Sequence, residues 1–250
     1  MCESRRRTRL SMLALVAAVV LGPDLTAQTL QIGAGGGIRF PLGDAGGDTK
    51  EFYAGTKYGL STGYNFQAKG RLGLAGVSLF AEIDYGRVSN SGESEPGQGK
   101  VEVSQSLVAI KAGPELHFKL PFVSPYVGAN LAFNSVSGEV KFNGVARVAS
   151  GTYDVEAASR IGFGLMAGGV LSLGPMLSLD VNLEYAWLNP FSTVWEDPNP
   201  TKDQRLDSYL ALNDDKDPLA GAGADPNIHV VRQSRSINSF AVTVSLMFGL

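Results

Sequence analysis

The segment from Phe240 to Leu250 constrains the fold more than any other part of the sequence. It reads FAVTVSLMFGL, so bulky apolar residues alternate with small or polar ones. Because successive side chains of a strand point to opposite faces, this pattern predicts a strand with one bulky apolar face. A flat apolar sheet edge invites aggregation unless another strand covers it. The pattern therefore favours a closed barrel, and an outward-pointing apolar face requires lipid as the surrounding solvent.

The N-terminal segment, residues 1–27, has the layout of a secretory signal peptide. Four arginines between Arg5 and Arg9 precede an apolar run from Met12 to Leu21, and a short stretch leads to Ala27. The run is shorter than the roughly 20 residues that a helix needs to span a membrane, which favours a cleaved signal over an anchor. We therefore expect export, cleavage near Ala27 and a single barrel domain over residues 28–250.

Composition argues against several classes of function. The chain is mildly acidic, with a formal net charge of −3, and only 18% of its residues are charged. Without a basic stripe it is not typical of a nucleic-acid-binding protein. There are only two histidines, and the one cysteine, Cys2, lies within residues 1–27. We therefore predict no nucleic-acid partner, no metal site built on histidine or cysteine, and no cofactor.

Seven further segments repeat the two-residue alternation of the segment from Phe240 to Leu250. Their predicted extents are Leu30 to Phe40, about Lys57 to Lys69 (with Tyr58, Leu60, Tyr64 and Phe66 on the apolar face), Val77 to Tyr85, Val108 to Phe118, Val127 to Phe133, Ile161 to Leu173 and Leu177 to Trp187. The total is even, as single-chain outer-membrane barrels require. We predict an all-β fold, an eight-stranded antiparallel up-and-down transmembrane β-barrel.

The predicted connections alternate in length along the chain. Short turns fall near Gly70–Gly73, Leu120–Ser124 and Gly174–Pro175, and long connections fall at about 41–56, 89–100, 142–156 and 189–236. Short periplasmic turns and long extracellular loops are typical of transmembrane barrels. The segment 189–236 is far longer than an ordinary loop, which indicates surface exposure and a functional role.

The face opposite the apolar one carries the charged residues of the strands. These are Arg39, Glu82, Asp84, Lys111, Glu115, Arg160, Asp180 and Glu184. A charge facing mid-bilayer lipid costs about 2–4 kcal/mol, so this face is predicted to line the lumen. Side chains can fill an eight-stranded interior, so each of the three cations is expected to pair with one of the five acids. A catalytic carboxylate pair is the alternative use of these acids, but we predict no catalytic residues.

The long connection contains four aspartates among proline and glycine, namely Asp214, Asp215, Asp217 and Asp225. Clustered carboxylates are the ligands that Ca²⁺ prefers, although the spacing does not match an EF-hand loop. A cation-binding loop and a solvated acidic loop are therefore the two interpretations of this segment.

Four stretches resemble the small outer-membrane β-barrels of the OmpA/OmpX/OmpW kind: Ile32–Asp44, Ala109–Phe118, the strand opening at Pro125, and Phe240–Leu250. The resemblance covers residues 28–250 and implies the outer membrane of a Gram-negative cell envelope. It also implies membrane lipids and lipopolysaccharide as surroundings, and the barrel-assembly machinery as a partner in biogenesis. We expect a monomer with a structural or surface-interaction role, not an enzyme.

Two other functions stay open at this point. The first is a porin-like role as a narrow passive channel for small solutes, including hydrophobic ones. The second is a lipid-modifying barrel enzyme. Barrel enzymes that trim lipid A use Ser and His in a His-x-Ser setting, which this sequence lacks around His229, Ser234 and Ser236.

Overall fold

The chain folds into one closed antiparallel barrel. The computed structural model describes residues 29–74, 77–95, 97–118, 120–196 and 204–249, so the predicted signal peptide lies outside the described residues. Within these ranges eight strands pair in sequence order, and the last strand pairs with the first. The strands are β1 (Thr29–Leu42), β2 (Gly63–Leu74), β3 (Val77–Glu95), β4 (Gln98–His117), β5 (Val123–Asn143), β6 (Gly151–Ser172), β7 (Leu177–Trp187) and β8 (Asn238–Gly249). The predicted fold class is confirmed.

Two short helices interrupt the long connections, α1 (Thr49–Tyr53) and α2 (Gln204–Leu210). Helix α1 begins at a capping box, in which Asp48 accepts a bond from the Glu51 backbone N–H and Glu51 accepts one from the Asp48 backbone N–H. This arrangement satisfies two backbone donors that a helix start leaves without partners. In the described part of the chain, neither helix has the length and hydropathy of a membrane span.

The strands turn their bulky apolar side chains outward. Ile83 and Ile110 are both 58% exposed, whereas the neighbouring lumen positions Asp84 and Lys111 are 0% and 3% exposed. On β1 the outward apolar positions run from Leu30 to Phe40. At about 3.3 Å per residue and a tilt of roughly 40°, that stretch makes a band about 25 Å tall, the height of a lipid-facing belt. We call this outward apolar surface the belt.

Glycines on the lumen face of β1 let this strand lie close against β8. A Cβ atom at Gly35 would lie 2.1 Å from Ser245 Oγ and 2.3 Å from the Val244 carbonyl oxygen. Such distances are far inside van der Waals contact, so only glycine fits there without moving the backbone of β8. The glycine run of the first strand is therefore a packing device at the closing seam of the barrel.

β2 lies further along the chain than the sequence pattern predicts. Tyr58 and Leu60, predicted on its apolar face, are buried in the connection that precedes it. The strand continues through Gly70–Gly73, predicted as a turn, because ladders with β1 and β3 pair its backbone on both sides. Such pairing outweighs the weak preference of glycine against strands. As a result Lys69 and Arg71 face the lumen.

Two of the four predicted long loops are mostly strand. The β3–β4 ladder extends to the pair Glu95 and Gln98, and the β5–β6 ladder reaches the pair Phe142 and Gly151. The prediction that residues 89–100 and 142–156 form loops is therefore wrong for most of these residues, which lie in strands. Alternation continues through both segments, but their outward positions become polar, so the signature of a lipid-facing strand is lost.

The other two long connections fold over the mouth of the barrel. We call residues 43–62 and 188–237 the cap, of which 197–203 lie outside the described residues. The tall part of β3–β6 forms a curved wall whose inner face carries apolar side chains such as Val103 and Phe142. Phe52 of α1 and Tyr209 of α2 pack against this wall, with ring centroids 5.0 Å apart. The cap and the wall thus share one hydrophobic core beyond the end of the belt.

Candidate functional site

The lumen contains a first ion-pair layer near the end of the barrel where β1 begins. Lys69 Nζ donates to Glu115 Oε1 at 2.6 Å, and Arg71 Nη2 donates to Asp180 Oδ2 at 2.7 Å. The hydroxyl of Tyr126 donates to the other oxygen of Asp180 at 2.8 Å. These five residues, the lower layer, come from β2, β4, β5 and β7 and reach across the interior. Two cations face two carboxylates, so the layer is neutral.

A second layer lies nearer the middle of the barrel and contains Arg39, Glu82, Asp84, Lys111 and Glu184. The ammonium of Lys111 lies 2.6 Å from Glu184 Oε2, 3.0 Å from Asp84 Oδ2 and 3.2 Å from Glu82 Oε1. Arg39 pairs with Asp84 from the opposite side. Burying such charges is tolerable only because each finds a partner. We call these five residues the middle layer.

Arg160 departs from the sequence prediction, which expected it to pair with one of the five lumen acids. Its Nε and Nη2 atoms instead donate to the two carboxylate oxygens of Asp214 at 2.9 and 2.8 Å. That prediction was wrong because the cap folds back onto the barrel, which the alternation of the strands does not encode. Asn189 also donates to Asp214, at 2.9 Å, and so does the backbone N–H of Val194, at 2.8 Å. Asp214 therefore anchors the cap to the barrel wall.

The four aspartates of the cap do not come together as a cation site. Asp214 binds Arg160, whereas Asp217 pairs with His229. Asp215 and Asp225 each accept a bond from a nearby backbone N–H, at 2.7 and 2.8 Å. Asp214 thus binds the barrel wall, and the other three carboxylates bind residues of the cap. A solvated loop does not account for Asp214 and Asp217, because both are buried.

One group of three acids in the described residues is close enough to hold a metal ion, namely Glu82, Asp84 and Glu184 of the middle layer. The Lys111 ammonium already lies within 3.2 Å of an oxygen of all three. A cation of the protein itself thus takes the place that a metal ion would need.

Sequence reasoning missed Lys69, Arg71 and Tyr126, which complete the lower layer. The predicted turn at Gly70–Gly73 contains Arg71, and Lys69 stands at the predicted end of the second strand, so neither is assigned to the lumen. A signal was available, since Asn65, Gln67, Lys69 and Arg71 are polar at every second position of β2. Tyr126 was hidden because tyrosine is common in strands irrespective of which face it occupies.

The cap closes the end of the lumen opposite the lower layer. Arg235 lies over the ring of Tyr58, 4.1 Å from its centroid, and Tyr58 packs in the core shared with the wall. Burial raises the pKa of Tyr58, so its hydroxyl stays neutral. A cavity of about 40 Å³ remains between the cap and the wall, which is room for little more than a water molecule.

His229 is the cap residue that could take part in proton transfer. Its Nδ1 atom contacts Asp217. The nearby serines are engaged elsewhere, because Ser234 donates to the Asp214 carbonyl oxygen and Ser236 donates to Asp44. In the part of the chain that the structure describes, these serines do not form a nucleophile–base pair with His229.

Asp214→Asn is expected to loosen the cap while leaving the barrel folded. The substitution removes the negative charge that accepts two hydrogen bonds from Arg160. The contact between cap and barrel should weaken by about 1.5–3 kcal/mol. Extracellular protease added to intact cells should therefore cleave within 188–237 about tenfold faster than in the wild type. Asp215→Asn is the matched control and should behave like the wild type. Equal rates for all three proteins would show that the pair does not hold the cap.

A closed barrel with an outward apolar belt and a filled polar lumen is the architecture of a transmembrane outer-membrane protein. A family model described as outer membrane protein beta-barrel domain matches residues 11–209. The chain therefore belongs to this outer-membrane β-barrel family. A comparison with curated proteins found no match.

Several solved structures are similar to this chain. Neisserial surface protein A is 14% identical, with a TM-score of 0.45 over 88% of this chain and 95% of that one. Ail of Yersinia pestis, solved with the heparin analogue sucrose octasulfate, is 11% identical, with a TM-score of 0.44 over 90% of this chain and 100% of that one. The N-terminal β-barrel domain of Pseudomonas aeruginosa OprF is 10% identical, with a TM-score of 0.38 over 89% of this chain and 97% of that one.

Proposed function

We propose that this protein is a sealed outer-membrane barrel that holds a folded cap at the cell surface. Its role is then structural, or it binds partners at the cell surface. One observation carries the proposal, namely that the interior is filled at three heights. The lower layer, the middle layer and the cap core follow one another along the barrel axis. Solutes cannot pass without breaking buried ion pairs, which costs several kcal/mol for each charge left alone.

The construction of the cap supports a role at the surface. Mobile loops would need no hydrophobic core, yet Leu206 and Val231 of the cap are buried with Val140 of the wall. Ion pairing between Asp214 and Arg160 then fixes the cap to the barrel. A surface held in one conformation loses little entropy when a partner binds, which favours a structural or surface-interaction role.

The two rival functions have less support. A passive channel would need a continuous path through the lower layer, where Lys69 and Arg71 are both buried. A lipid-modifying enzyme would need a nucleophile beside His229, and Ser234 is bonded elsewhere. The barrel-assembly machinery as a partner and the monomeric state stay predictions.

Liposome swelling tests the sealed barrel directly. Purified protein is reconstituted into phospholipid vesicles, and swelling is followed by light scattering in isotonic arabinose. The wild type is expected to swell at the rate of protein-free vesicles, because buried layers block the lumen. Asp214→Asn should also leave the swelling rate unchanged, because the lower layer and the middle layer still fill the lumen. Swelling that falls with increasing sugar size would establish a channel and overturn the proposal.

A further inference from the structure

The outward face of the sheet changes chemistry directly above the belt. On β3, Tyr85 is the last outward aromatic residue, and Arg87 and then Ser89 take the next outward positions. Two polar rows follow across β3, β4 and β5, and strand pairing joins their members. We call these six residues the serine face: Arg87, Ser106 and Ser137 in the first row, and Ser89, Ser104 and Glu139 in the second.

A groove is open on the serine face. Its volume is about 480 Å³, and its lining includes Arg87, Ser89, Ser104 and Glu139. Pockets of about 300–1,000 Å³ are the usual size of small-ligand sites. The guanidinium of Arg87 reaches Ser104 Oγ at 3.4 Å. The hydroxyl of Ser89 in the groove, and those of Ser106 and Ser137 in the other row of the serine face, make no hydrogen bond to other described residues, so they are available to a ligand.

The groove is lined by charges of both signs. Glu102, which also lines it, accepts a bond from Lys100 at 2.8 Å and faces Lys141 on the next strand. The bond from Lys100 lowers the pKa of Glu102, so the carboxylate is ionised at neutral pH. A surface that offers hydroxyl donors and carboxylate acceptors suits the hydroxyl groups of sugars.

We propose that the serine face binds the saccharide headgroup of an outer-leaflet glycolipid whose acyl chains lie along the belt. Continuity with the belt carries the assignment, because the same strands run from Tyr85 to Ser89 without a break. Along β3 the outward positions change from the apolar belt to Arg87 and then to Ser89. This order matches that of acyl chain, phosphate and sugar in such a lipid. The proposal rests on the outer-membrane placement of the proposed function, and not on whether the lumen is sealed.

Native mass spectrometry of the barrel in nanodiscs tests the proposal. The discs contain equal amounts of lipopolysaccharide with its core oligosaccharide and of lipid A, which has the same acyl chains without the core sugars. The wild type is expected to retain lipopolysaccharide about tenfold over lipid A, and Ser104→Ala with Glu139→Gln should reduce this ratio to about twofold. Ser104→Ala alone, expected to lower the ratio about threefold, serves if the double variant folds poorly.

The matched control carries the same two kinds of change outside the groove. Thr152→Ala with Glu156→Gln alters exposed residues on β6 and should keep the wild-type ratio. Equal retention of the two lipids by the wild type, or an unchanged ratio in the groove variants, would overturn the proposal. Swelling of phospholipid vesicles that contain the same purified proteins tests the sealed lumen separately, because the serine face lies outside it.

Discussion

Glu115→Ala is expected to destabilise the barrel more than any other single change in its lumen. The carboxylate is 0% exposed and pairs with both Lys69 and Arg71. Its removal leaves two buried cations with Asp180 as their one remaining carboxylate in the lower layer. Leaving a buried charge without its partner costs about 3–5 kcal/mol, so the free energy of unfolding should fall by that amount.

Urea unfolding in phospholipid vesicles, followed by heat-modifiable gel migration, measures this loss. Glu156→Ala is the control, because it removes the same charge from an exposed position on β6. A second variant, Glu115→Leu with Lys69→Met, should recover at least half of the loss. It leaves Arg71 and Asp180 as a balanced pair, 2.7 Å apart. Equal unfolding midpoints for Glu115→Ala and Glu156→Ala would show that the lower layer does not stabilise the fold.

The barrel itself was predictable from sequence because lipid imposes a strict rule on every strand. Outward residues must be apolar at membrane depth, so a two-residue period survives even where local signals conflict. Ile83 and Glu82 illustrate the rule, since one is exposed to lipid and its neighbour is buried in the lumen. Beyond the membrane, outward residues need not be apolar. The sequence pattern therefore does not predict where β3–β6 end.

The sequence predicts that the lumen charges form ion pairs, but it does not predict which residues pair. A small lumen forces buried charges to find partners, so complementary signs could be expected. Which partners meet depends on the stagger of the strands, and periodicity does not supply that stagger. Glu115 illustrates this, since it pairs across the barrel with Lys69 and Arg71 of β2, which is not the neighbour of β4.

The cap could not be predicted because its contacts follow no period. Arg160 of β6 binds Asp214, which lies in a long connection whose described residues form one short helix and irregular backbone. A run of acids in such a segment suggests solvent or a cation, and sequence alone gives no reason to choose a buried arginine instead. The length of residues 189–236 was the one usable signal, because long ordered loops usually have a role.

Val244→Arg is expected to impair assembly strongly, because it places a charge in the middle of the belt. Val244 is 45% exposed on the outward face of β8 and lies between Gly36 of β1 and Val181 of β7. An arginine at this depth costs about 2–4 kcal/mol against lipid, and it falls on the seam where the barrel closes. The folded fraction, measured by heat-modifiable migration of membrane extracts, should drop severalfold or more.

Thr243→Ser is the matched change on the other face of the same strand. Thr243 is 2% exposed, and its hydroxyl accepts a bond from Asn65 Nδ2 at 3.1 Å. Serine keeps that hydroxyl and loses only a methyl group, so the folded fraction should stay close to that of the wild type. Equal folded fractions for Val244→Arg and Thr243→Ser would contradict the orientation of β8. Since β8 closes the barrel against β1, that outcome would also remove the main physical reason for placing the belt in lipid.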